Sequence, residues 1–544
     1  MLPLFSLLAL CVAATFASES DELLKKPSGY AKDLLLFEAA KESDDAKELY
    51  AGYFTAKNPK YTHLKLLTSK TNSKNLSTLL ECLDGEPQKL LKKTPECAEL
   101  GINYQKISDA AVDDKTLLYK ISEKINVHGN SKSIKLKLIQ KASEKKQLSA
   151  DELLEVYFDT SKSFRRKFLD RDLSDEEVAN IAGHQSFKRF LKWVTFDREA
   201  KNLSKSLTKI DCSGVDDPDT LFFLGLLKIK TSNTQTGCFK KSALISKKQA
   251  DKDRGFFWEY LTNGNTEYLQ SVAQSRDLNF YSKIAKEKTG VHQNGSGVVF
   301  FDEDDLSSCK NTPNYDDAPF AWLEYRSKLK SYQKNELTKL LSDYSCKQNG
   351  ALYIAGLEKK EGYKKDYFPI LYKQAFAPLP PYRKALYHAI ARQESFFVPG
   401  IVSSAYAVGV MQIIPELGAE LAQKHAERFK IKELFEPDKN IKYASSHFKW
   451  LEDMVAHPTL IAVSYNAGYG FFKRIEREGL FGFKDTEKLR YEPYWSIENI
   501  PYDETREYAK KVTLNYAVYS EYFNPNAENS LLSIVENLVR SRRR

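Results

Sequence analysis

The stretch Tyr382-Arg-Lys-Ala-Leu-Tyr-His-Ala-Ile-Ala-Arg-Gln-Glu-Ser395 follows the proline-rich run Pro378-Leu-Pro-Pro381 and predicts a helix that opens a new structural region. Its apolar residues recur at helical spacing: Leu386, Ala389 and Ile390. Pro399 follows shortly after, and because a proline rarely continues a helix, Glu394 is expected at the helix C-terminus. A carboxylate beside the negative end of the helix dipole is harder to ionise, which suits a general acid.

Three further motifs follow this helix in order: Gly409-Val-Met-Gln-Ile-Ile-Pro415, Ser464-Tyr-Asn-Ala-Gly468 and Glu498-Asn-Ile-Pro-Tyr-Asp-Glu-Thr-Arg506-Glu-Tyr508. Together with Glu394-Ser395, they resemble the motifs of the family 1 lytic transglycosylases of the large soluble type. Those motifs are Glu-Ser, Gly-Leu-Met-Gln, Ala-Tyr-Asn-Ala-Gly and Ile-Pro-x-x-Glu-Thr-Arg-x-Tyr. The match covers roughly residues 365 to 520, and chance rarely produces four such motifs in one order.

The resemblance implies a mainly α fold in three parts: an N-terminal α-superhelical domain (a solenoid or ring), a helical linker domain and a C-terminal lysozyme-like domain of the goose type. We place these parts at residues 18–290, 291–364 and 365–530, with a basic tail at 531–544. The residues themselves indicate a helical first half, because only five prolines lie between residues 21 and 290, against thirteen from 291 to 544. A chain of 544 residues also exceeds what one hydrophobic core usually organises.

Two helix starts can be identified directly in the first half. Ser149 and Ser174 each precede a glutamate by three residues, Glu152 and Glu177, which is the pattern of a capping box. Apolar residues at helical spacing follow both starts. We therefore expect short amphipathic helices stacked in series.

In the family, the Glu of the Glu-Ser motif is the sole catalytic carboxylate, so the resemblance places that role on Glu394. Glycosidases that use water generally need two carboxylates, yet no Asp or Glu occurs from Ser395 through Pro415. The resemblance implies cleavage of the MurNAc-GlcNAc β-1,4 bond of peptidoglycan with formation of 1,6-anhydro-MurNAc ends, Glu394 acting as acid and then as base. Two alternatives remain open: a goose-type-like muramidase that adds water at this bond, and a non-catalytic peptidoglycan-binding scaffold.

The resemblance also assigns substrate-binding positions, which in this chain are Ser403, Met411, Gln412, Tyr465, Asn466 and Glu504. Gln412 is expected to hydrogen-bond sugar or to fix the strand across the cleft, with Met411 packed beneath it. Tyr465 is expected near Glu394. At every one of these positions, a purely structural packing role is the alternative, and Arg506 is expected to be a structural ion-pair partner.

One loop departs from the family pattern. Many relatives carry Ser-Pro-x-Gly-Ala ahead of the Gly-Leu-Met-Gln motif, whereas this chain has Ser403-Ser-Ala-Tyr-Ala407. Tyr406 occupies the usual glycine position, where a glycine often implies a backbone angle that tyrosine tolerates poorly. We therefore expect a rebuilt loop with altered sugar contacts.

The N-terminus predicts export to the periplasm. Leu2 to Ala17 is almost uniformly apolar, shorter than a membrane-spanning helix, and followed by polar residues, so we assign residues 1–17 to a signal peptide, with a retained anchor as the alternative. Six cysteines remain beyond it, and the simplest of their 15 pairings joins sequence neighbours: Cys82 with Cys97, Cys212 with Cys238, and Cys309 with Cys346.

Charge and motifs limit the partners. A net charge of +9 suits association with anionic envelope polymers. Lys and Arg are spread along the chain, so nucleic acid is not expected as a partner. No CxxC or HExxH pattern occurs, and we expect neither a metal nor a cofactor. We expect a monomer that binds peptidoglycan glycan strands, with other cell-wall enzymes as further candidate partners.

Overall fold

The computed structural model describes residues 19–42, 55–126, 131–231, 237–291, 297–310, 314–483, 489–526 and 529–543. Helices make up most of this part of the chain, so the expected mainly α fold is confirmed. No helix within these ranges is long and apolar enough to cross a membrane. The signal peptide expected at residues 1–17 lies outside the described residues.

The chain contacts define two compact units. The first comprises residues 1–72, 293–482 and 507–544, and the second comprises residues 73–292 and 483–506. The two units therefore interleave along the chain, and the helix Asp503–Phe523 begins in the second and continues in the first. The consecutive domain boundaries expected from the sequence remain predictions.

The second unit is a series of short helices, in which most packing contacts join helices no more than four places apart along the chain. Its α-helices are Lys74–Leu83, Pro87–Leu90, Pro95–Leu100, Tyr104–Asp113, Lys115–Ile125, Ser131–Ser143, Ala150–Asp159, Lys162–Phe164, Asp175–Ala182, Phe187–Phe196, Lys201–Leu207, Pro218–Lys230, Cys238–Ile245, Gln249–Asn263, Thr266–Ala273, Phe280–Thr289 and Tyr494–Glu498. Its π- and 3-10 turns are Arg165–Leu169, Cys212–Gly214 and Leu489–Tyr491.

Local hydrogen bonds begin the helices where the sequence predicts. Ser149 Oγ accepts from Glu152 N over 3.2 Å while Ser149 N donates to the Glu152 carboxylate over 2.9 Å. Ser174 and Glu177 form the same reciprocal pair, over 3.1 and 2.8 Å. Both predicted capping boxes are confirmed. In each, the reciprocal pair satisfies two backbone N–H groups that the start of a helix leaves without a backbone partner.

The helix Pro218–Lys230 is buried along most of its length. It is apolar all round, and its residues from Leu221 to Leu227 are buried on every side, as such a composition requires. Gly225 permits the close packing, because a Cβ there would lie 2.7 Å from the ring of Phe239 on the next helix. This packing buries enough apolar surface to stabilise helices that would be marginal alone.

The expected disulfides are confirmed. Bonds join Cys82 with Cys97 and Cys212 with Cys238 in the second unit, and Cys309 with Cys346 in the first. Each bond closes a loop of 15 to 37 residues, and such loops restrict the unfolded chain.

The first unit contains Glu394 and the motifs at residues 409–415 and 464–468. Its α-helices are Glu19–Lys25, Tyr30–Glu42, Tyr61–Thr71, Ala318–Ser331, Lys334–Asp343, Gly350–Lys360, Lys373–Phe376, Pro381–Ser395, Pro415–Lys424, Pro437–Met454, Pro458–Ala467, Tyr469–Arg477, Leu531–Arg543 and most of Asp503–Phe523. Its 3-10 turns are Glu303–Asp305, Tyr315–Asp317, Lys347–Asn349 and Ile431–Phe435.

A small sheet, which the sequence did not predict, precedes the catalytic motifs. The strands Val298–Asp302 and Asp366–Ile370 pair in parallel, with Phe300 opposite Phe368. The run Val298-Val-Phe-Phe301 combines β-branched and aromatic residues, which favour strands. The sheet therefore joins the region expected as a linker to the start of the region expected as lysozyme-like.

The C-terminal segment differs from the basic tail expected at 531–544. Residues Leu531–Arg543 form a helix, and Leu531, Val535 and Leu538 are fully buried. These residues recur at helical spacing, so they give the basic segment one apolar face that packs against the rest of the first unit. His457 extends this contact, because its ring lies 2.9 Å from the carbonyl of Ile534.

Candidate active site

The helix Pro381–Ser395, here called the catalytic helix, ends as the sequence predicts and presents Glu394 at its last turn. Phe396 and Phe397 then adopt left-handed backbone angles, with φ of 53° and 64°. Phe397 is fully buried, and Glu394 is half-buried. The left-handed residues after Ser395 therefore end the helix and keep Glu394 in its C-terminal turn.

Tyr508 contacts the carboxylate directly. Its hydroxyl donates a hydrogen bond to Glu394 Oε1 over 2.6 Å, and only 4% of the Tyr508 side chain is exposed. Hydrogen bonds to an ionised acceptor are shorter and stronger than neutral ones. Tyr508 can therefore orient the Glu394 side chain and stabilise its negative charge.

The catalytic helix is locked to the helix that carries Tyr508. Asn515 Nδ2 donates to the carbonyl of Ala389 over 3.3 Å, and Arg392 Nη1 donates to Asn515 Oδ1 over 2.9 Å. Tyr508 and Asn515 are seven residues apart, so they share one face of their helix. Both contacts therefore hold the two helices in the register that brings Tyr508 to Glu394.

The segment 401–413, here called the motif loop, lies against the end of the catalytic helix. Val408 and Ile413 exchange two backbone hydrogen bonds, over 2.9 and 3.0 Å, which close the loop as a tight hairpin. Ser395 Oγ donates to the carbonyl of Val410 over 2.7 Å. The residue next to Glu394 is therefore bonded directly to the motif loop.

Asn440 holds the motif loop through hydrogen bonds to backbone groups. It is fully buried, accepts from Met411 N over 2.8 Å, and donates to the carbonyls of Val408 and Leu434 over 2.9 Å each. Gly409 makes this approach possible, because its φ is 80° and a Cβ there would lie 2.3 Å from Leu434 O. The loop backbone is thus fixed by one side-chain amide.

Tyr465 connects the loop to the carboxylate. Its hydroxyl donates to Met411 O over 2.5 Å, and its ring stacks on Phe448 at 4.6 Å between centroids. Burial, and then the negative charge of Glu394, raise the pKa of Tyr465 well above its usual value. Tyr465 is therefore a neutral hydroxyl in the electrostatic field of Glu394, where the sequence motif predicts it.

Three other predicted positions lie in the motif loop, and two of them form side-chain hydrogen bonds with its backbone. Met411, which is part of the motif loop, is fully buried. Gln412 has a left-handed φ of 51°, and its Nε2 donates to the carbonyls of Ile401 and Gly409 over 3.1 and 3.0 Å. Ser403 Oγ accepts from the backbone N–H groups of residues 405 and 407. Their assignment to substrate binding remains a prediction.

Two further predicted positions are Asn466 and Glu504. Asn466 is half-buried near the end of the helix Pro458–Ala467. Glu504 belongs to the second unit, where it is exposed and lines an open cavity of about 630 Å³ together with Lys192 and Trp193. Their assignment to substrate binding also remains a prediction.

The ion-pair role expected for Arg506 is confirmed. Arg506 is 3% exposed at its side chain, pairs with Asp503, and lies 3.6 Å from the Glu498 carboxylate. Its Nη1 also donates to the carbonyl of Ile500 over 2.8 Å. The Glu498–Tyr508 motif is therefore held in shape by an internal buried cation.

Sequence reasoning missed three residues that build the site: Tyr508, Asn515 and Asn440. Tyr508 was visible as the last residue of a recognised motif, and Asn515 lies seven residues further on the same helix face. Asn440 gave no sequence signal, since a buried amide is recognisable only once its backbone partners are known.

The comparisons with known proteins first define a class. Residues 381–485 match the family model described as Transglycosylase SLT domain. This range holds the catalytic helix, the motif loop and Tyr465. The resemblance to soluble lytic transglycosylases is thereby confirmed.

Particular relatives are similar over part of the chain. The chain is 31% identical over 142 residues to the soluble lytic murein transglycosylase of Salmonella typhimurium, a match covering 25% of this chain and 20% of that protein. It is 30% identical over 142 residues to the soluble lytic murein transglycosylase of Escherichia coli K12, with the same coverage. The match thus spans about a fifth of the length of these two relatives.

Two solved structures are similar over most of the chain. An inactive mutant of the lytic transglycosylase Slt from Pseudomonas aeruginosa is 17% identical with a TM-score of 0.49, covering 92% of this chain and 93% of that one. The 70-kDa soluble lytic transglycosylase in complex with bulgecin A is 17% identical with a TM-score of 0.49, covering 93% and 83%.

Proposed function

We propose that this chain is a peptidoglycan lytic transglycosylase that cleaves the MurNAc-GlcNAc β-1,4 bond and leaves 1,6-anhydro-MurNAc ends. The observation that carries the proposal is the Glu394 carboxyl group, which lies in the segment that matches the transglycosylase family. It accepts a hydrogen bond from Tyr508, and its charge helps to raise the pKa of Tyr465. A positioned carboxyl group in a partly dry site is what general acid–base catalysis needs.

In the proposed mechanism, Glu394 first donates its proton to the oxygen of the scissile glycosidic bond. The bond from the muramic C1 to that oxygen breaks, and the substrate's own N-acetyl group stabilises the cationic carbon. The Glu394 carboxylate then takes the proton from the C6 hydroxyl of the same sugar as O6 bonds to C1. The proton returns to Glu394, no water is consumed, and one group serves both steps.

A one-carboxylate mechanism accords with the sequence around the site. Hydrolases of glycosidic bonds generally place two carboxylates across the scissile bond. The segment from the end of the catalytic helix across the motif loop, residues 395–415, contains no Asp or Glu. A nucleophile supplied by the sugar removes the need for the second group.

The surrounding residues have supporting roles in this proposal. Tyr508 orients the carboxylate and stabilises its charge between the two proton transfers. Tyr465 holds the loop through Met411 and presents its ring near the reacting sugar. Gln412 and Ser403 fix the loop that borders the sugar, and Asn466 and Glu504 extend the sugar-binding surface as the family motifs imply.

The cellular setting is part of the proposal. The three disulfides accord with an oxidising compartment, and the expected signal peptide accords with the periplasm. The net charge of +9 favours contact with anionic cell-wall polymers. We propose that the protein acts there as a monomer on glycan strands, alongside other cell-wall enzymes.

The first test replaces Glu394 with Gln, which keeps size and hydrogen bonding but removes the exchangeable acid proton. General acid–base catalysis contributes about 10²–10⁴-fold per group, and Glu394 serves two steps. Release of muropeptides should fall by at least about a thousandfold, while binding of peptidoglycan persists. Glu416→Gln is the matched control, because Glu416 is an exposed carboxylate in the first turn of the helix after the motif loop.

The second test identifies the nucleophile. Peptidoglycan is digested in water enriched in heavy oxygen, and the muramic ends are analysed by mass spectrometry. A transglycosylase leaves these ends unlabelled and anhydro. Labelled reducing ends as the main product would establish the muramidase alternative and refute the proposed reaction, even if Glu394 proved essential.

A further inference from the structure

Tyr406 combines a strained backbone with a buried side chain. Its φ is 66°, a left-handed conformation that side chains with a Cβ rarely adopt, and only 5% of the residue is exposed. The backbone of Tyr406 therefore has an angle that glycine adopts more readily than tyrosine. Such strain persists only where surrounding contacts determine the conformation.

Those contacts come from a distant part of the chain in the same compact unit. The Tyr406 hydroxyl donates to the carbonyl of Asn58 over 2.8 Å. Lys60 Nζ lies 4.2 Å from the centroid of the Tyr406 ring, and the His63 ring stacks on it at 5.6 Å with an interplanar angle of 21°. We call residues 58–63 the N-terminal anchor.

The anchor is itself rigidly held. Asn58 N donates to the carboxylate of Asp33, which is 2% exposed, over 3.0 Å. His63 is 4% exposed, and its ring lies 3.9 Å from that of Phe37. Burial and the charge of Lys60 lower the pKa of His63 to about 4, so the stacked ring is neutral near pH 7. The helix Tyr30–Glu42 therefore supports the surface on which Tyr406 rests.

The loop that carries Tyr406 reaches the candidate catalytic group within a few residues. Val410 O accepts from Ser395 Oγ, next to Glu394 in the chain. Met411 O accepts from the Tyr465 hydroxyl, and Tyr465 lies in the field of Glu394. The motif loop is therefore bonded both to Ser395, the chain neighbour of Glu394, and to Tyr465.

We propose that Tyr406 is a positioning residue through which the N-terminal anchor holds the motif loop in register with Glu394. The inference rests on the proposed function of Glu394 and adds a region far away in sequence to the machinery of that site. It also assigns a use to the replacement of the usual glycine: the tyrosine accepts an unfavourable backbone angle and gains an anchored ring.

The decisive variant is Tyr406→Gly. Glycine suits a φ of 66° better than tyrosine does. If the Tyr406 side chain had no positioning role, the glycine variant would therefore be as active as the wild type. An anchor predicts the opposite result. We expect kcat on peptidoglycan to fall about tenfold or more, because small misplacements of reacting groups cost that much, with KM changed less than about twofold.

Two further variants separate the ring from the hydroxyl and control for the anchor. Tyr406→Phe keeps the ring against Lys60 and His63 and should retain most of the wild-type kcat that Tyr406→Gly loses. His63→Ala removes the ring that stacks on Tyr406 and should lower kcat. The double variant with Tyr406→Gly should be no slower than Tyr406→Gly alone. Ser69→Ala, at an exposed position of the same helix outside the anchor, is the control and should behave as wild type.

Hydrogen exchange tests the coupling without relying on chemistry. In Tyr406→Gly, the amides of residues 401–413 and of residues 58–63 should both exchange faster by at least about tenfold, whereas the helix Pro437–Met454 should be unchanged. Wild-type exchange in the motif loop, or wild-type kcat in a folded glycine variant, would overturn the proposal. If Glu394→Gln stays active, the proposed function fails while this coupling stands on the exchange data alone.

Discussion

Replacing Tyr508 with phenylalanine removes one oxygen atom from the candidate active site and leaves the aromatic ring in place. The lost hydroxyl donates to Glu394 Oε1 over 2.6 Å from a side chain that is 4% exposed. Hydrogen bonds to charged groups contribute about 1.5–3 kcal/mol net. At about 1.4 kcal/mol per tenfold change in rate, kcat should fall about 10- to 150-fold.

The pH dependence should change in a defined direction. The hydroxyl stabilises the ionised carboxylate, so its removal extends the protonated form to higher pH. Glu394 must be protonated to cleave the bond, and the alkaline limb of the pH–rate profile should therefore move upward in pH while kcat falls. The assay is release of soluble muropeptides at substrate saturation across a pH series.

A matched variant controls for loss of a buried hydroxyl. Tyr519→Phe removes a hydroxyl from the same helix, where a fully buried Tyr519 donates over 3.0 Å to the neutral carbonyl of Pro369. It should reduce thermal stability slightly and leave kcat and the pH profile as in the wild type. A folded Tyr508→Phe protein with wild-type kcat and pH profile would refute the role assigned to this hydrogen bond.

Three further predictions concern stability. Asn440→Ala removes three buried hydrogen bonds from the motif loop region, and of their backbone partners Val408 O keeps its bond from Ile413 N, so unfolding by denaturant should show a loss of about 2 kcal/mol or more. Burial raises the pKa of Glu358 from 4.5 to about 7, so the wild type loses stability as pH rises between these values. Glu358→Gln should therefore raise the melting temperature above about pH 7 and match the wild type below about pH 4.5; the opposite pattern would contradict the burial argument. Replacing Cys309 and Cys346 together by alanine opens a loop of 37 residues and should lower the unfolding free energy by up to about 4 kcal/mol, whereas an unchanged midpoint would show that the bond contributes nothing.

Much of the candidate site could be anticipated from residue order. The proline at 399 and the apolar spacing before it predict where the catalytic helix ends, and Glu394 lies there. The position of Tyr465 near Glu394 follows from its motif. The loop rebuilding expected around Tyr406 stays a prediction. The sequence did not predict the contacts of the Tyr406 side chain, because they come from residues that the loop sequence does not contain.

The sequence by itself determined the features that depend on neighbours along the chain. Capping at Ser149 and Ser174, the end of the catalytic helix and the short loops closed by disulfides all involve groups within a few tens of residues. Hydrogen bonding and chain stiffness act over such distances whatever the rest of the fold does, so local pattern suffices.

Only the tertiary structure decided the contacts that give Glu394 its surroundings. Tyr508 meets Glu394 across 114 residues of sequence, and Tyr406 meets Asn58 across 348. Partners so far apart are selected by the packing of whole helices, which depends on buried shape and on the satisfaction of every buried polar group. No local pattern encodes that selection, because each side chain is an ordinary tyrosine or asparagine until the packed helices bring its partner within hydrogen-bonding distance.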